Sequence, residues 1–332
     1  MKSINNVTPV GIEPSTWRLN IKSKVVTIGS CFAEVLGDQL ETHKFDACNN
    51  PFGTIFNPLT ISKLINQAID SRPLNPALYI ENTDGIWLHH DLHSSIWGHS
   101  KAEIVSKMES KLQEVRQFLQ KADLLVLTFG TAFAYRHKGT NQLIGNCHKL
   151  PADRFIKELL NNDQIQNAVE EIIFKLLTYN RKLKIMVTVS PVRHTRDTLP
   201  LNQVSKSILR LLCHRLSDKF PHITYFPAYE IMQDELRDYC YYKEDLIHPN
   251  RLAEEHIFDV FKSGYLDEPA KHFVEQWATI LQMLNHKPNF GHTASYQNHL
   301  KRILEKLIFF SENVNVDPEI EAIRTKMSEY LA

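Results

Sequence analysis

A chain of 332 residues with Lys plus Arg equal to Asp plus Glu, at 38 each, has no global field to draw it to nucleic acid or an anionic membrane, and fits a small neutral or mixed substrate. Its five cysteines (Cys31, Cys48, Cys147, Cys213, Cys240) are odd in number and widely spaced, with no C-x-x-C pair, which argues against a disulfide framework and a zinc knuckle. Met1 to Asn20 has no apolar leader and no stretch approaches the ~18 consecutive apolar residues of a membrane span, so the expectation is a cytoplasmic protein.

Residues 1–24 read as a polar lead-in broken by Pro9, Gly11 and Pro14. Val25 to Gly29 is a buried strand that stops at Gly29-Ser30 and turns at once into a helix, with Phe32, Val35, Leu36 and Leu40 on one face. A hydroxyl at the carboxyl end of a first parallel strand lies where open α/β sheets bind ligands, and at a helix N-terminus that receives negative charge. Ser30 is therefore either a nucleophile or a plain helix cap, and its partners must decide. Asn49 to Pro58 has the Asn, Pro and Gly content of a loop but carries Phe52, Ile55 and Phe56, so it should fold back over the sheet.

A helix over Leu59–Asp70 precedes a segment with His89, His90, Asp91, His93 and His99. Imidazoles beside an aspartate invite a metal reading, but the spacing is not that of a helical zinc pair and no H-E-x-x-H occurs. A polar surface or substrate-lining loop is the simpler reading, and no metal or other cofactor is expected. Lys101–Lys121 is a charged helix; Asp123–Gly130 and Lys184–Ser190 are continuous apolar strands; Asp163–Tyr179 and Leu201–Phe220 are helices, and His222–Tyr229 is a fourth strand. The alternation predicts a doubly wound α/β sheet. Cys147 beside His148 is a poor dyad, because neighbours on an extended segment point opposite ways.

Asp245-Leu246-Ile247-His248 precedes a helix over Leu252–Lys262. In a turn, an aspartate and a histidine three apart can meet, the carboxylate fixing the imidazole tautomer. Such a turn again lies at the carboxyl end of the sheet, within reach of Ser30. Beyond Asp267 the pattern is helical over Glu268–Asn285, Ser295–Val314 and Glu319–Tyr330, with a break around His286 to His292. This tail is too polar to form a core alone, and either packs on the domain or pairs with a second copy of the chain.

Gly29-Ser30-Cys31-Phe32-Ala33 resembles the string that gives the GSCFA family its name. Further strings resemble that family in order: Asn50 to Pro58, Thr128 to Ala132, Asn146 to Lys149, Thr188 to His194, Tyr225 to Glu230, Leu236 to Tyr239, and Asp245-x-x-His248-Pro249. The resemblance spans residues 25–262 and implies a flavodoxin-like three-layer α/β/α fold, with a mostly parallel sheet of about five strands, over residues 25–266, followed by a helical extension at 267–332. It implies an SGNH-type hydrolase acting on esters, O-acetyl carbohydrates among them, with Ser30 as nucleophile, His248 as base and Asp245 as orienting acid. Ser30 and Gly53 would donate to the oxyanion. Where the wider group has Gly-x-Asn, this chain has Gly130-Thr131-Ala132, so the usual asparagine is absent, and Thr131 or Asn146 would replace it. Arg193, His194 and His148 are candidates for substrate contact, with structural salt bridges or hydrogen bonds as the alternative. The other open readings are a ligand-binding protein that has lost turnover and an assembly component working through its helical tail.

Overall fold

The structure, a computed structural model, describes residues 7–12, 15–289 and 293–329; Pro14 and the expected limits at His292 and Tyr330 lie outside them. In chain order come β1 (Lys24–Gly29), α1 (Cys31–Thr42), β2 (Asp46–Asn49), α2 (Pro58–Asp70), β3 (Tyr79–Glu81), β4 (Trp87–His89) and α3 (Lys101–Lys121). Then follow β5 (Leu124–Phe129), β6 (Phe133–His137), β7 (Gln142–Ile144), β8 (Phe155–Leu159), α4 (Asn162–Tyr179), β9 (Lys184–Val189), α5 (Leu199–Lys219) and β10 (Ile223–Tyr225). The chain ends with a short α6 (Ala228–Glu230), α7 (Arg251–Tyr265), α8 (Glu268–Leu284), α9 (Ala294–Phe310) and α10 (Asp317–Glu329).

The central sheet runs β2-β1-β5-β9-β10, with every pairing parallel. This is the flavodoxin-like order, whose direction of winding reverses between β1 and β5. Side chains alternate between the two faces of each strand. Val26, Ile28, Leu125, Leu127, Phe129, Ile185, Val187 and Val189 join the core under α2 to α5, while Val25, Leu124, Val126 and Met186 join the core under α1 and α7. Two sheets lie outside this one, the β3–β4 hairpin and an antiparallel β7-β6-β8 sheet.

Three elements depart from the sequence expectation. The edge strand β2 has four residues and no apolar run, because an edge strand covered by one helix needs little apolar surface. The antiparallel strands β6 and β8 carry a cross-strand Arg136–Glu158 ion pair and few core side chains, so they give no strand signal of the buried kind. The last strand stops at Tyr225, since Pro227 has no N–H to continue a ladder and leads into α6.

The tail is part of the second core rather than a separate bundle. Trp277, Ile280, Leu300, Ile303, Leu307 and Phe310 belong to the same buried cluster as Phe32, Leu36 and Leu40 of α1. Trp277 is fully buried, and its Nε1 donates to the carbonyl of Thr42 at 2.8 Å, satisfying one of the free carbonyls at the end of α1. Lys44 lies over the Trp277 ring and pairs with Glu319 at 2.6 Å. Trp277→Ala should therefore lower unfolding free energy by about 3–5 kcal/mol. Urea unfolding followed by far-UV circular dichroism measures it; a loss under about 1 kcal/mol would show that the tail is only loosely attached.

Candidate functional site

The backbone of Gly29 sets the site. Its φ is +149°, and a Cβ there would come within 2.1 Å of the Thr128 carbonyl oxygen of β5, so only glycine fits. Ser30 follows as the N-cap of α1, with Oγ accepting from Phe32 N at 3.3 Å, at the edge of the β1/β5 switch point. Its side chain is wholly covered.

Beside Gly29 runs the Asn49–Pro58 loop, which folds back as its apolar content predicts. Phe52 and Ile55 are fully buried, and Ile55 N donates to Gly29 O at 2.8 Å. The Phe56 carbonyl accepts from both Gly130 N (2.8 Å) and Thr131 N (3.1 Å). Gly53 has φ +67°, and a Cβ there would meet Cβ of His93 at 2.4 Å.

The Asp245-x-x-His248 turn forms the expected dyad. His248 Nδ1 donates to Asp245 Oδ2 at 2.7 Å, while Oδ1 accepts from the backbone N–H groups of Ile247 (2.9 Å) and His248 (3.0 Å). The two backbone donors, with the imidazole contact after them, hold the Asp245 carboxyl down at about 2. With Nδ1 committed as donor, Nε2 is left as an acceptor. The turn needs Leu246 in the left-handed region (φ +57°), and it is tied to the end of β9 by Arg193 N donating to Ile247 O at 3.3 Å.

Dyad and serine thus share the carboxyl end of one sheet, but differ in exposure: Asp245 and His248 side chains are 44% and 40% exposed, Ser30 not at all. No hydrogen bond joins His248 to Ser30. His194 lies between the two regions. Its ring packs edge-on against Phe56 at 5.1 Å, and its Nε2 is buried with no partner among the described residues. Burial above all, then the neighbouring charges of Lys206, His248 and Lys157, push it down to about 3, so it is neutral at pH 7.

The two backbone donors expected at an oxyanion are engaged elsewhere, and Thr131 and Asn146 serve their own turns. Ser30 N donates to Thr128 O at 3.0 Å and Gly53 N to Asn50 O at 2.8 Å. The Thr131 hydroxyl faces Ser205 Oγ at 3.0 Å and accepts from Phe133 N, stabilising the turn into β6. Asn146 caps its own turn through His148 N at 2.8 Å, and its backbone is bound to His90. His148 is a structural pin: Nε2 donates to His89 O at 2.9 Å and Nδ1 accepts from Ser94 Oγ at 2.9 Å. Arg193 lies with its guanidinium 4.1 Å above the Tyr242 ring and 5.4 Å from Tyr239, which is 61% exposed, beside the dyad turn.

Two polar residues at this end of the sheet escape sequence reasoning. Lys206 is completely buried, and its ammonium donates to Gly130 O (2.8 Å) and Ser190 O (2.7 Å), fastening the turns after β5 and β9. Burial lowers it to about 7. The signal was present: Lys206 stands in register with Asn202, Ser205, Leu209, Leu212, Cys213 and Leu216, the buried stripe of α5. Asn50 is the second, and became visible only with β2. Cys31, a thiol at the N-terminus of α1 next to Ser30, is raised by burial, which disfavours a thiolate.

Among the described residues, no group of three or more His, Cys, Asp or Glu is placed to hold a metal ion, and no helix is long and apolar enough to cross a membrane. His89, His90 and His148 are used in hydrogen bonds that tie separate loops together, to the carbonyls of Asn75, Asn146 and His89 respectively.

A flavodoxin-like sheet with a serine at its switch point and an Asp–His dyad at the same end defines the class of α/β protein. The chain belongs to the GSCFA family, whose model matches residues 24–261, and a separate model for the C-terminal domain of GSCFA domain proteins matches residues 277–329. No curated protein matches the chain. Among solved structures, a carbohydrate esterase family 2 enzyme with a carbohydrate-binding domain from Corynascus thermopiles (Myceliophthora fergusii) overlaps at a TM-score of 0.33 and 13% identity, covering 82% of this chain and 69% of that one. An overlap that loose defines neither fold nor activity.

Burial pushes His89 down to about 3 and His90 to about 4. A histidine depressed in the folded state stabilises the protein above its unfolded value of about 6.5 and loses that contribution as pH falls, because the unfolded chain binds the proton first. Urea midpoints should therefore drop between about pH 6.5 and pH 4, and His89→Gln should flatten the decline. Asp91, raised by burial, works in the opposite sense, so the comparison with the variant carries the test. Equal slopes in both proteins would show that His89 is not buried neutral.

Proposed function

We propose that the protein is a serine-dependent hydrolase or acyltransferase acting on esters, O-acetyl carbohydrates among them. The observation that carries this reading is the Asp245–His248 dyad, with its tautomer fixed and Nε2 left as an acceptor, at the same end of the sheet as strand-end Ser30. The substrate is a small-molecule or carbohydrate ester, with the neutral charge balance giving no field for a polyanion. Ser30 Oγ attacks the ester carbonyl as its proton passes to His248 Nε2, and Asp245 stabilises the imidazolium. Collapse of the tetrahedral intermediate expels the alcohol, which takes the proton from His248. Water or a second alcohol then releases the acyl group by the same steps in reverse. Arg193 with Tyr239 and Tyr242 gives the dyad a rim suited to hydroxyl groups and sugar faces.

Ser30 is buried and makes no hydrogen bond to His248, so turnover requires a movement that uncovers the serine. This covered serine also favours a second reading, a binding protein that keeps the fold without turnover.

A fluorophosphonate probe followed by intact-protein mass should give one adduct on wild type. Ser30→Ala should lose it, Cys31→Ala should keep it, and Asp245→Asn should slow its formation by up to about 10⁴-fold. Folded wild-type protein without an adduct would leave the binding reading in place.

A further inference from the structure

We propose that Asn50 supplies the side-chain donor of the oxyanion hole, in place of the asparagine missing after Gly130. The inference rests on Ser30 being the nucleophile. Asn50 stands at the end of β2, next to β1, so the donor would approach the serine from the opposite side to the β5 turn.

Its position is unusually well fixed. The backbone is left-handed (φ +41°), and its N–H donates to both the carbonyl (2.9 Å) and the hydroxyl (3.1 Å) of Thr27. Its own carbonyl accepts from Gly53 N. The side chain replaces the next rung of the ladder: Oδ1 accepts from Gly29 N, the residue before Ser30, at 3.0 Å. That contact settles the orientation of the amide, because a backbone N–H can only meet the oxygen end. The amino end is therefore held one amide width from the N–H of the Ile28–Gly29 peptide, one residue before Ser30.

Nδ2 has no acceptor among the described residues, although Asn50 is only 6% exposed. A buried unpaired donor costs about 1–3 kcal/mol, and such a group calls for a use. Its surroundings suit an oxyanion, since it meets no carboxylate among the described residues and the backbone donors of Ser30 and Gly53 are taken. In the acylation step the Ser30 Oγ–carbon bond forms, the carbonyl π pair moves onto oxygen, and the serine proton goes to His248. The Asn50 amino group then gives the new oxyanion a hydrogen bond that the ground-state carbonyl draws on less. Asn50 opens the Asn49–Pro58 loop and is bound to the residue before Ser30, so both lie at the same end of β1.

The test uses Asn50→Asp, which keeps an acceptor for Gly29 N and removes the donor, and Asn50→Gly, which suits the left-handed backbone and removes the amide. Thr131→Val is the comparator. Both Asn50 variants should be phosphonylated by a fluorophosphonate about 10²- to 10³-fold more slowly than wild type. Their kcat for p-nitrophenyl acetate should fall by the same factor with KM little changed, while Thr131→Val stays near wild type. Melting temperatures confirm that each variant is folded. A folded Asn50 variant that reacts at the wild-type rate overturns the proposal while leaving Ser30 as nucleophile. Wild type that forms no Ser30 adduct overturns both.

Discussion

The approach of Gly29 to the Thr128 carbonyl is the constraint on which the carboxyl end of the sheet depends. With a Cβ at Gly29 the contact would be 2.1 Å, so any other residue would push β1 from β5 or turn the peptide that presents Ser30. Because the approach is close, Ser30 N can continue the ladder to Thr128 O even as its φ and ψ (−67°, 175°) already serve as the cap of α1. One residue therefore ends a strand and starts a helix with no intervening loop, which fixes its side chain far more firmly than a loop could.

Around that junction the molecule invests in buried polar groups where apolar ones would pack more cheaply. Lys206 spans two strand-end carbonyls with no carboxylate partner among the described residues, and burial holds His194 neutral. Replacing buried charge by apolar side chains is often neutral or stabilising, so what Lys206 supplies is geometry rather than stability. Lys206 holds the Gly130 and Ser190 turns in one relation, and those turns carry Phe56 against His194 and tie Arg193 to the dyad turn. The Asn49–Pro58 loop beside Gly29 and the platform under His248 are thus parts of a single network.

Much of this was legible in the sequence. Three of the central strands are unbroken apolar runs ending at Gly29, Phe129 and Val189, and their spacing by amphipathic helices fixes a doubly wound sheet. The Asp245–His248 contact follows from a three-residue spacing in a turn. The edge strand β2 was invisible because four residues with one buried side chain carry no periodicity, and Asn50 was invisible with it. The engagement of Thr131 by Ser205 joins residues 74 apart, and only the tertiary structure brings α5 to the β5 turn. Local patterns report which elements form; they do not report which hydrogen-bond donors remain free after the elements pack.

The C-terminal helices belong in this account through α1. That helix is twelve residues long, about 18 Å, with Ser30 at one end and the Thr42 carbonyl at the other. Its inner face packs on the sheet, and Val25, Val126 and residues of α8 and α9 belong to the same buried cluster. At its far end Trp277 Nε1 binds Thr42 O, a contact that a surface helix would leave to water. With its inner face against the sheet and its C-terminus bound to α8, the helix that Ser30 caps is tied into the same core as the tail.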